Sequence, residues 1–250
     1  MRYLIKFSYD GSGYKGYQIQ PNYRTIQEEL EVAVQKVNNN IYRTVQATGR
    51  TDKGVHAKEQ YAHFDLDITI TPHKLKRALN SNLPDDIHVI ESYEVDDKFH
   101  SRYFVKEKEY KYYINLGEYN PLERNYVFQY NYKLNIEKMK DAIKYFKGTH
   151  DFRAFVTENK EKENCVRTIT KVSIEKDKID NNKYIFTFIG NGFLRYQVRN
   201  MVGILIKVGE EKISPKDVEK ILESKDRSKI GATAPAEGLY LERVEFKDFQ

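Results

Sequence analysis

The sequence contains little cysteine, no tryptophan and no long apolar run. Its one cysteine, Cys165, excludes an internal disulfide bond and favours a reduced, cytoplasmic setting. No apolar run approaches the length that a membrane-spanning helix needs, and residues 1–6 lack the apolar core of a signal peptide. We therefore expect a cytoplasmic protein that has no membrane partner.

Sequence motifs for common cofactors are missing as well. The six histidines lack acidic or cysteine partners at metal-ligand spacing, and neither a P-loop nor the zinc deaminase signature occurs. Residues 11–16 match G-x-G-x-x-G, but the flanking pattern is not the parallel βαβ repeat that binds dinucleotides. We predict a mobile surface loop there, whose Tyr14, Lys15 and Tyr17 could contact a substrate. We expect no cofactor and no metal.

Charged residues and tyrosine are abundant. The 250 residues include 42 Lys and Arg against 37 Asp and Glu, a net charge of +5, and 20 Tyr. This composition permits a polyanionic partner. Tyrosine beside lysine or arginine could stack on bases and pair with phosphates. The hydrophobic fraction of 40% supports a folded core.

Hydrophobic periodicity predicts an α+β protein with two similarly organised halves. Strands are expected at residues 2–9, 42–47, 61–66 and 87–95, with helices starting at Thr25 and Pro72. In the second half, strands are expected at 106–115, 166–175, 183–190 and 239–246, and helices at 136–147, 198–206 and from 214. Thr25 and Glu28 have capping-box spacing. Each half has the β-α-β-β-α-β order of ferredoxin-like and RRM-like units, which predicts a mainly antiparallel sheet. We predict domains at 1–104 and 105–250.

Residues 49–57, Gly-Arg-Thr-Asp-Lys-Gly-Val-His-Ala, form the first candidate site. Asp52 lies between two glycines, which allow tight turns, and Arg50 comes two residues before it. A facing arginine would lower the pKa of such a carboxylate by roughly 1–3 units, as suits a nucleophile or base. The alternative is an Asp–Arg pair that only stabilises a turn.

Residues 190–203 form the second candidate site. A loop of glycine and asparagine leads into an apolar helix that also carries Arg199. A partly buried arginine needs an anion, and either Asp52 or an RNA phosphate could supply it. The alternative is an arginine whose guanidinium extends to solvent.

Five segments, in order along the chain, resemble the motifs of the tRNA pseudouridine synthase A family. They are residues 9–20 with 25–28, the Asp52 loop, residues 99–102 with 109–112, residues 190–203 and residues 234–241. The resemblance spans nearly the whole chain. Two departures are Tyr17, where the family often has tryptophan, and Lys53, where a small residue is common.

The resemblance implies the pseudouridine synthase fold and isomerisation of uridine to pseudouridine at positions 38, 39 and 40 of the tRNA anticodon stem-loop. Asp52 would act on the ribose, either by attacking C1′ or by removing the C2′ proton. Arg199 would keep Asp52 ionised and Tyr110 would stack on the uracil. Arg50 would enter the RNA to favour the flipped base, and Lys53 would help select the RNA. The resemblance also implies a homodimer and no cofactor.

Three other functions are compatible with parts of the pattern. A non-catalytic protein of two RRM-like units should carry an RNP1 motif, and no good copy is present. A paralogous synthase acting on another RNA would retain the same residues. A ferredoxin-like enzyme for small acids would need a closed pocket and should not bind tRNA.

Overall fold

The computed structural model describes residues 1–156 and 164–247 as an α+β protein whose strands pair mostly antiparallel. The first elements are β1 (Arg2–Tyr9), α1 (Ile26–Val37), β2 (Gln46–Ala47), β3 (His56–Asp65), α2 (Pro72–Asn80) and β4 (Ile87–Val95). They are followed by β5 (Val105–Asn115), β6 (Phe128–Gln129), α3 (Ile136–Ile143), β7 (Gly148–Asp151), β8 (Val166–Lys176) and β9 (Lys183–Gly190). The last elements are α4 (Gln197–Gly209), α5 (Pro215–Ser224) and β10 (Leu239–Phe246).

By its contacts the chain divides into two compact units. The first is Met1–Lys106 together with the chain from Tyr240 onward, and the second is Glu107–Leu239. The two domains predicted from the sequence, at residues 1–104 and 105–250, stay a prediction.

In the first unit β1 lies between β4 and β3 and is antiparallel to both. The other edge of β3 pairs with β2 near His63 and, in parallel, with β10 near His56. The buried side chains of β1 alternate as predicted, and α1 and α2 contribute apolar stripes to the same unit. Its largest fully buried residues are Tyr3, Ile5, Phe7, Tyr14, Ile26 and Phe64.

In the second unit the strand order is β5-β9-β8-β7, with each neighbouring pair antiparallel. The short β6 pairs in parallel with the end of β5. Helix α4 is buried on nearly all sides rather than along one stripe, which is why its sequence is so apolar. Tyr112, Phe186 and Phe188 bring the adjacent strands into the same core.

Side-chain chemistry explains where the observed elements differ from the predicted ones. The strand predicted at 42–47 is only two residues long. The Glu31 carboxylate accepts hydrogen bonds from the Val45 N–H (3.0 Å) and the Tyr42 hydroxyl (2.7 Å), so the Val45 N–H bonds to a side chain instead of a neighbouring strand. The predicted capping box at Thr25 does not form. The N–H groups of Ile26 and Gln27 are instead satisfied by backbone carbonyls of a distant loop.

Candidate active site

Asp52 lies on a tight turn between β2 and β3. The Val55 N–H donates to the Asp52 carbonyl (3.2 Å), and Gly54 takes a positive φ of 78° that favours glycine. The Asp52 side chain is half-buried, whereas Arg50 and Lys53 are exposed. The turn therefore presents one carboxylate between two solvent-facing cations.

Residues 11–17 hold this turn by backbone contact, which corrects the prediction of a mobile surface loop. The Tyr17 N–H donates to the Thr51 carbonyl (3.1 Å). Gly16 has a φ of 104°, and a Cβ there would lie 3.0 Å from the Thr51 carbonyl oxygen and 3.2 Å from the Lys53 nitrogen. The glycines of this loop allow two backbones to pack closely, and no helix opens at Gly16 to receive a dinucleotide.

The same loop caps helix α1. The carbonyl of Gly16 accepts from the Ile26 N–H (3.3 Å), and that of Tyr17 accepts from the Gln27 N–H (2.9 Å). Residues 16 and 17 thus connect the start of a helix to the Asp52 turn. This connection joins residues that are distant along the chain, so it has no signal in the local sequence.

Two of the three predicted substrate contacts on this loop are corrected by their burial. Tyr14 is 1% exposed and Tyr17 is 3% exposed, so neither ring is available to a substrate. The Tyr14 hydroxyl donates to Asp86, whose carboxylate also receives the Arg24 guanidinium at 2.8 Å. Lys15 is half-buried, with its ammonium over the Tyr23 ring.

His56 closes the turn on its C-terminal side. It is buried, its Nδ1 accepts from the Gly11 N–H (3.1 Å), and its ring stacks on Tyr240 at 4.6 Å. Tyr240 and Leu241 pair in parallel with His56 and Ala57. The sequence did not predict that the closing segment, residues 234–241, lies beside His56. The available signal was that this segment matches a family motif.

Residues 99–102 are anchored in the first unit by a buried histidine. The Ser101 N–H donates to His63 Nδ1 (3.2 Å), and the Ser101 hydroxyl donates to the Gln46 carbonyl (2.7 Å). Burial, followed by repulsion from His100 and Arg2, lowers the pKa of His63 to about 4. His63 is therefore a neutral structural residue at pH 7.

Tyr110 and Arg199 lie in the second unit. Tyr110 is 8% exposed on β5 and meets Phe193, from the loop before α4, edge to face at 5.1 Å. Arg199 lies in the first turn of α4, where its Nε donates to the Ala234 carbonyl at 2.8 Å. Its guanidinium lies 5.2 Å from the ring of Tyr196, which has a positive φ of 62°.

The segment at residues 232–238 joins the strand that carries Tyr110 to the helix that carries Arg199. Its Ala234 N–H donates back to the Arg199 carbonyl (3.1 Å), and its Pro235 carbonyl accepts from the Tyr112 hydroxyl (2.9 Å). A Cβ on Gly203 would lie 2.3 Å from the Ala232 carbonyl oxygen. Burial raises the pKa of Tyr112 well above its usual value despite the nearby Arg199, so its hydroxyl remains a donor.

Residues 1–156 and 164–247 bear on a metal site, a membrane span and a cavity as well. No group of three His, Cys, Asp or Glu side chains in this part of the chain is arranged to hold a metal ion. None of the described helices combines the length and apolar character needed to cross a membrane. A surface cavity of about 490 Å³ in the second unit is lined by residues that include Lys144, His150 and Lys225, and by none of the predicted site residues.

Comparison with known proteins identifies the family. Residues 6–104 and 142–247 match the family model for tRNA pseudouridine synthases. The chain belongs to that family. It is 43% identical over 248 residues to tRNA pseudouridine synthase A of Limosilactobacillus reuteri (strain DSM 20016), covering 98% of this chain and 96% of the relative.

Further relatives give the same result. tRNA pseudouridine synthase A of Streptococcus mutans serotype c (strain ATCC 700610 / UA159) is 44% identical over 250 residues, covering 99% of this chain and 100% of the relative. tRNA pseudouridine synthase A 1 of Bacillus cereus (strain ATCC 14579) is 44% identical over 243 residues, covering 96% and 97%. The predicted family, and with it the class of isomerases that make pseudouridine in tRNA, is confirmed.

Proposed function

We propose that this chain converts uridine to pseudouridine at positions 38, 39 and 40 of the tRNA anticodon stem-loop, with Asp52 acting on the ribose. The observation that carries the proposal is the Asp52 turn itself. A half-buried carboxylate lies between exposed Arg50 and Lys53, on a backbone fixed by close contact with Gly11 and Gly16. A carboxylate held in position can act on a sugar, and neighbouring cations can bind the phosphates of the RNA that carries it.

The reaction rearranges bonds without an outside reagent. The C1′–N1 bond breaks, the uracil rotates, and a C1′–C5 bond forms. The proton on C5 leaves, and N1 gains a proton, so no oxidant, reductant or nucleotide energy is consumed. Asp52 assists the first step, by attack on C1′ or by removal of the C2′ proton.

Arg50 and Lys53 have the exposure that contact with a polyanion needs. We assign Arg50 to the RNA interior, where it favours the flipped uridine, and Lys53 to substrate binding. Extrusion of a base costs a few kcal/mol, which such contacts offset. Recognition of the stem-loop then depends on shape and phosphates more than on base sequence.

Tyr110 and Arg199 are assigned to the same reaction. The Tyr110 ring packs against Phe193 in an edge-to-face arrangement that fixes its position, which supports a role in stacking on the uracil. The Nε of Arg199 is fixed by Ala234, which orients its guanidinium. A guanidinium near Asp52 would lower the pKa of the carboxyl group and keep it ionised at neutral pH.

The finer architecture and the assembly are also proposed. The β4-β1-β3 order, with β2 on the far side of β3, supports a ferredoxin-like first half of a pseudouridine synthase fold. The homodimer is proposed from the family resemblance, and the cytoplasmic setting from the single cysteine. Size-exclusion chromatography with light scattering would test the dimer.

Tritium release from tRNA labelled with [5-³H]uridine tests the proposed function. Loss of the carboxylate in Asp52→Ala should lower turnover by about 10⁴-fold or more while tRNA binding at fixed salt persists. Asp85→Ala is the matched control, since Asp85 is an exposed carboxylate of the same unit. Mapping of the modified positions then tests the assignment to 38, 39 and 40.

Two outcomes would contradict the proposal. Turnover by Asp52→Ala at the wild-type rate would remove Asp52 from the chemistry. Tight tRNA binding by the wild-type protein without tritium release would favour another RNA substrate or a non-catalytic role.

A further inference from the structure

A buried polar cluster holds the backbone on the N-terminal side of Asp52. Its centre is Gln60 of β3, whose side chain is fully buried. The Gln60 Nε2 donates to the Gly49 carbonyl at 3.0 Å. Its Oε1 accepts from the Thr48 hydroxyl and from the Tyr61 N–H. One amide therefore fixes Thr48 and Gly49 where β2 ends and the turn begins.

Tyr9, at the end of β1, extends this cluster to the residue next to Asp52. Its hydroxyl lies 2.8 Å from Thr51 Oγ1 in a buried environment. Burial raises the pKa of Tyr9, so the hydroxyl keeps its proton and can act as both donor and acceptor. Thr51 is held a second time, through its carbonyl, by the Tyr17 N–H.

The cluster leaves the chemistry-bearing side chains outside it. Hydrogen bonds with Gln60 and Tyr9 fix Gly49 and Thr51. Arg50, which lies between them, is exposed, and Asp52 is half-buried. A turn with glycine at 49 and 54 has a flexible backbone of its own. The direction of the Asp52 side chain must therefore be set by contacts with neighbouring residues.

We propose that Tyr9 and Gln60 are positioning residues that orient the Asp52 carboxylate through Thr51 and Gly49. The inference rests on the proposed role of Asp52. Neither side chain is exposed to substrate, so their effect is on the rate of the chemical step and not on tRNA binding. A displacement of about 1 Å at a reacting group can cost about 100-fold in rate.

The first test is Tyr9→Phe, which removes one hydroxyl and keeps the ring. We expect kcat for tritium release to fall by about 10- to 100-fold, with KM for tRNA changed less than about threefold. The matched control is Tyr3→Phe. Tyr3 lies on the same strand, is also buried, and donates its hydroxyl to the Ile70 carbonyl at 2.9 Å, away from the turn. This control should keep the wild-type kcat.

Thr51 provides the second test from the other end of the hydrogen bond. Thr51→Val should lower kcat to a similar extent, and Thr51→Ser should recover most of the loss because it restores the hydroxyl. The double variant Tyr9→Phe/Thr51→Val should be no slower than the slower single variant, since both remove one interaction. Amide exchange of residues 49–55 should be faster in Tyr9→Phe than in Tyr3→Phe.

The outcomes separate this inference from the proposed function. Equal kcat in Tyr9→Phe and Tyr3→Phe, with unchanged exchange of residues 49–55, would overturn the positioning role. Loss of kcat in Tyr9→Phe alone, with unchanged KM, would support it. No tritium release by the wild-type protein, measured in the same series, would instead overturn the proposed function. If Tyr9→Phe does not fold, the comparison of Thr51→Val with Thr51→Ser decides the question.

Discussion

Gly11→Ala tests whether the loop at residues 11–17 holds the Asp52 turn. An alanine Cβ at this position would lie 2.0 Å from the Val55 carbonyl oxygen and 2.6 Å from the Val55 carbonyl carbon. Both partners are backbone atoms, so no side chain can rotate away. The two chain segments must separate instead.

The size of the separation follows from these distances. Ordinary contact of a Cβ begins near 3.4 Å, so the Val55 carbonyl must move by about 1.4 Å relative to residue 11. Val55 is hydrogen-bonded to the Asp52 carbonyl, and the turn moves with it. A shift of that size at a reacting group predicts a loss of kcat of about 100-fold. Overpacking should also cost about 1–3 kcal/mol of stability.

Tritium release at saturating tRNA measures kcat, and thermal unfolding measures the loss of stability. Gly13→Ala is the matched control, since it lies in the same loop and its Cβ would come no closer than 3.5 Å to the Arg24 guanidinium. It should have wild-type kcat. Binding of tRNA to Gly11→Ala should persist, because Arg50 and Lys53 remain exposed.

A folded Gly11→Ala protein with wild-type kcat would refute the reasoning. It would mean that the turn does not depend on its contact with residue 11. An equal loss of kcat in Gly13→Ala would refute it in another way, by showing that any side chain in the loop is harmful.

Two further predictions concern stability. Because burial lowers the pKa of His63 to about 4, below its unfolded value near 6.5, the folded state binds fewer protons between these values. The resulting stability is fully present above pH 6.5 and is lost as the pH falls towards 4. Urea unfolding measures the free energy of unfolding at pH 7 and pH 4.5. Between these pH values the wild-type protein should lose about 2 kcal/mol more stability than His63→Gln, after allowance for solvent screening. Identical pH profiles of the two proteins would contradict this prediction. At helix starts, Asn135→Ala should cost about 1 kcal/mol because its side chain accepts from the Lys138 N–H at 3.1 Å, whereas Thr25→Ala should be nearly neutral because Thr25 makes no capping bond. A comparable loss in both variants, measured by the same unfolding method, would show that the backbone cap of α1 is insufficient.

Hydrophobic periodicity predicted much of the fold, because the buried face of a strand or helix leaves a regular pattern of apolar residues in its own sequence. The strands at Arg2–Tyr9, Ile87–Val95, Lys183–Gly190 and Leu239–Phe246 have the predicted bounds. The predicted helix at 136–147 ends at Ile143 and continues as a 3₁₀ turn through Phe146. Strands β6 and β7 were not predicted, because two to four residues give too short a pattern.

The five predicted site residues differ in what the structure adds to them. Asp52, Arg50 and Lys53 share one turn, and the exposure of Arg50 and Lys53 supports the roles proposed for these two cations. Tyr110 and Arg199 belong to the second unit, and their roles stay predictions. The prediction of a mobile surface loop at residues 11–17 was wrong. Glycines in a sequence indicate a flexible backbone, but in the fold the glycines of this loop allow two backbone segments to pack closely.

The sequence by itself determined the family and the element order of the first half, and it predicted Asp52 as the reacting carboxylate, because these depend on residue types at fixed spacing along the chain. Only the tertiary structure decided that Gly16 and Tyr17 cap helix α1, that Gly11 contacts Val55, and that Tyr9 contacts Thr51. These contacts join residues that are roughly 10 to 45 positions apart along the chain. Local sequence patterns extend over a few turns of helix or one strand, so they carry no record of such pairs.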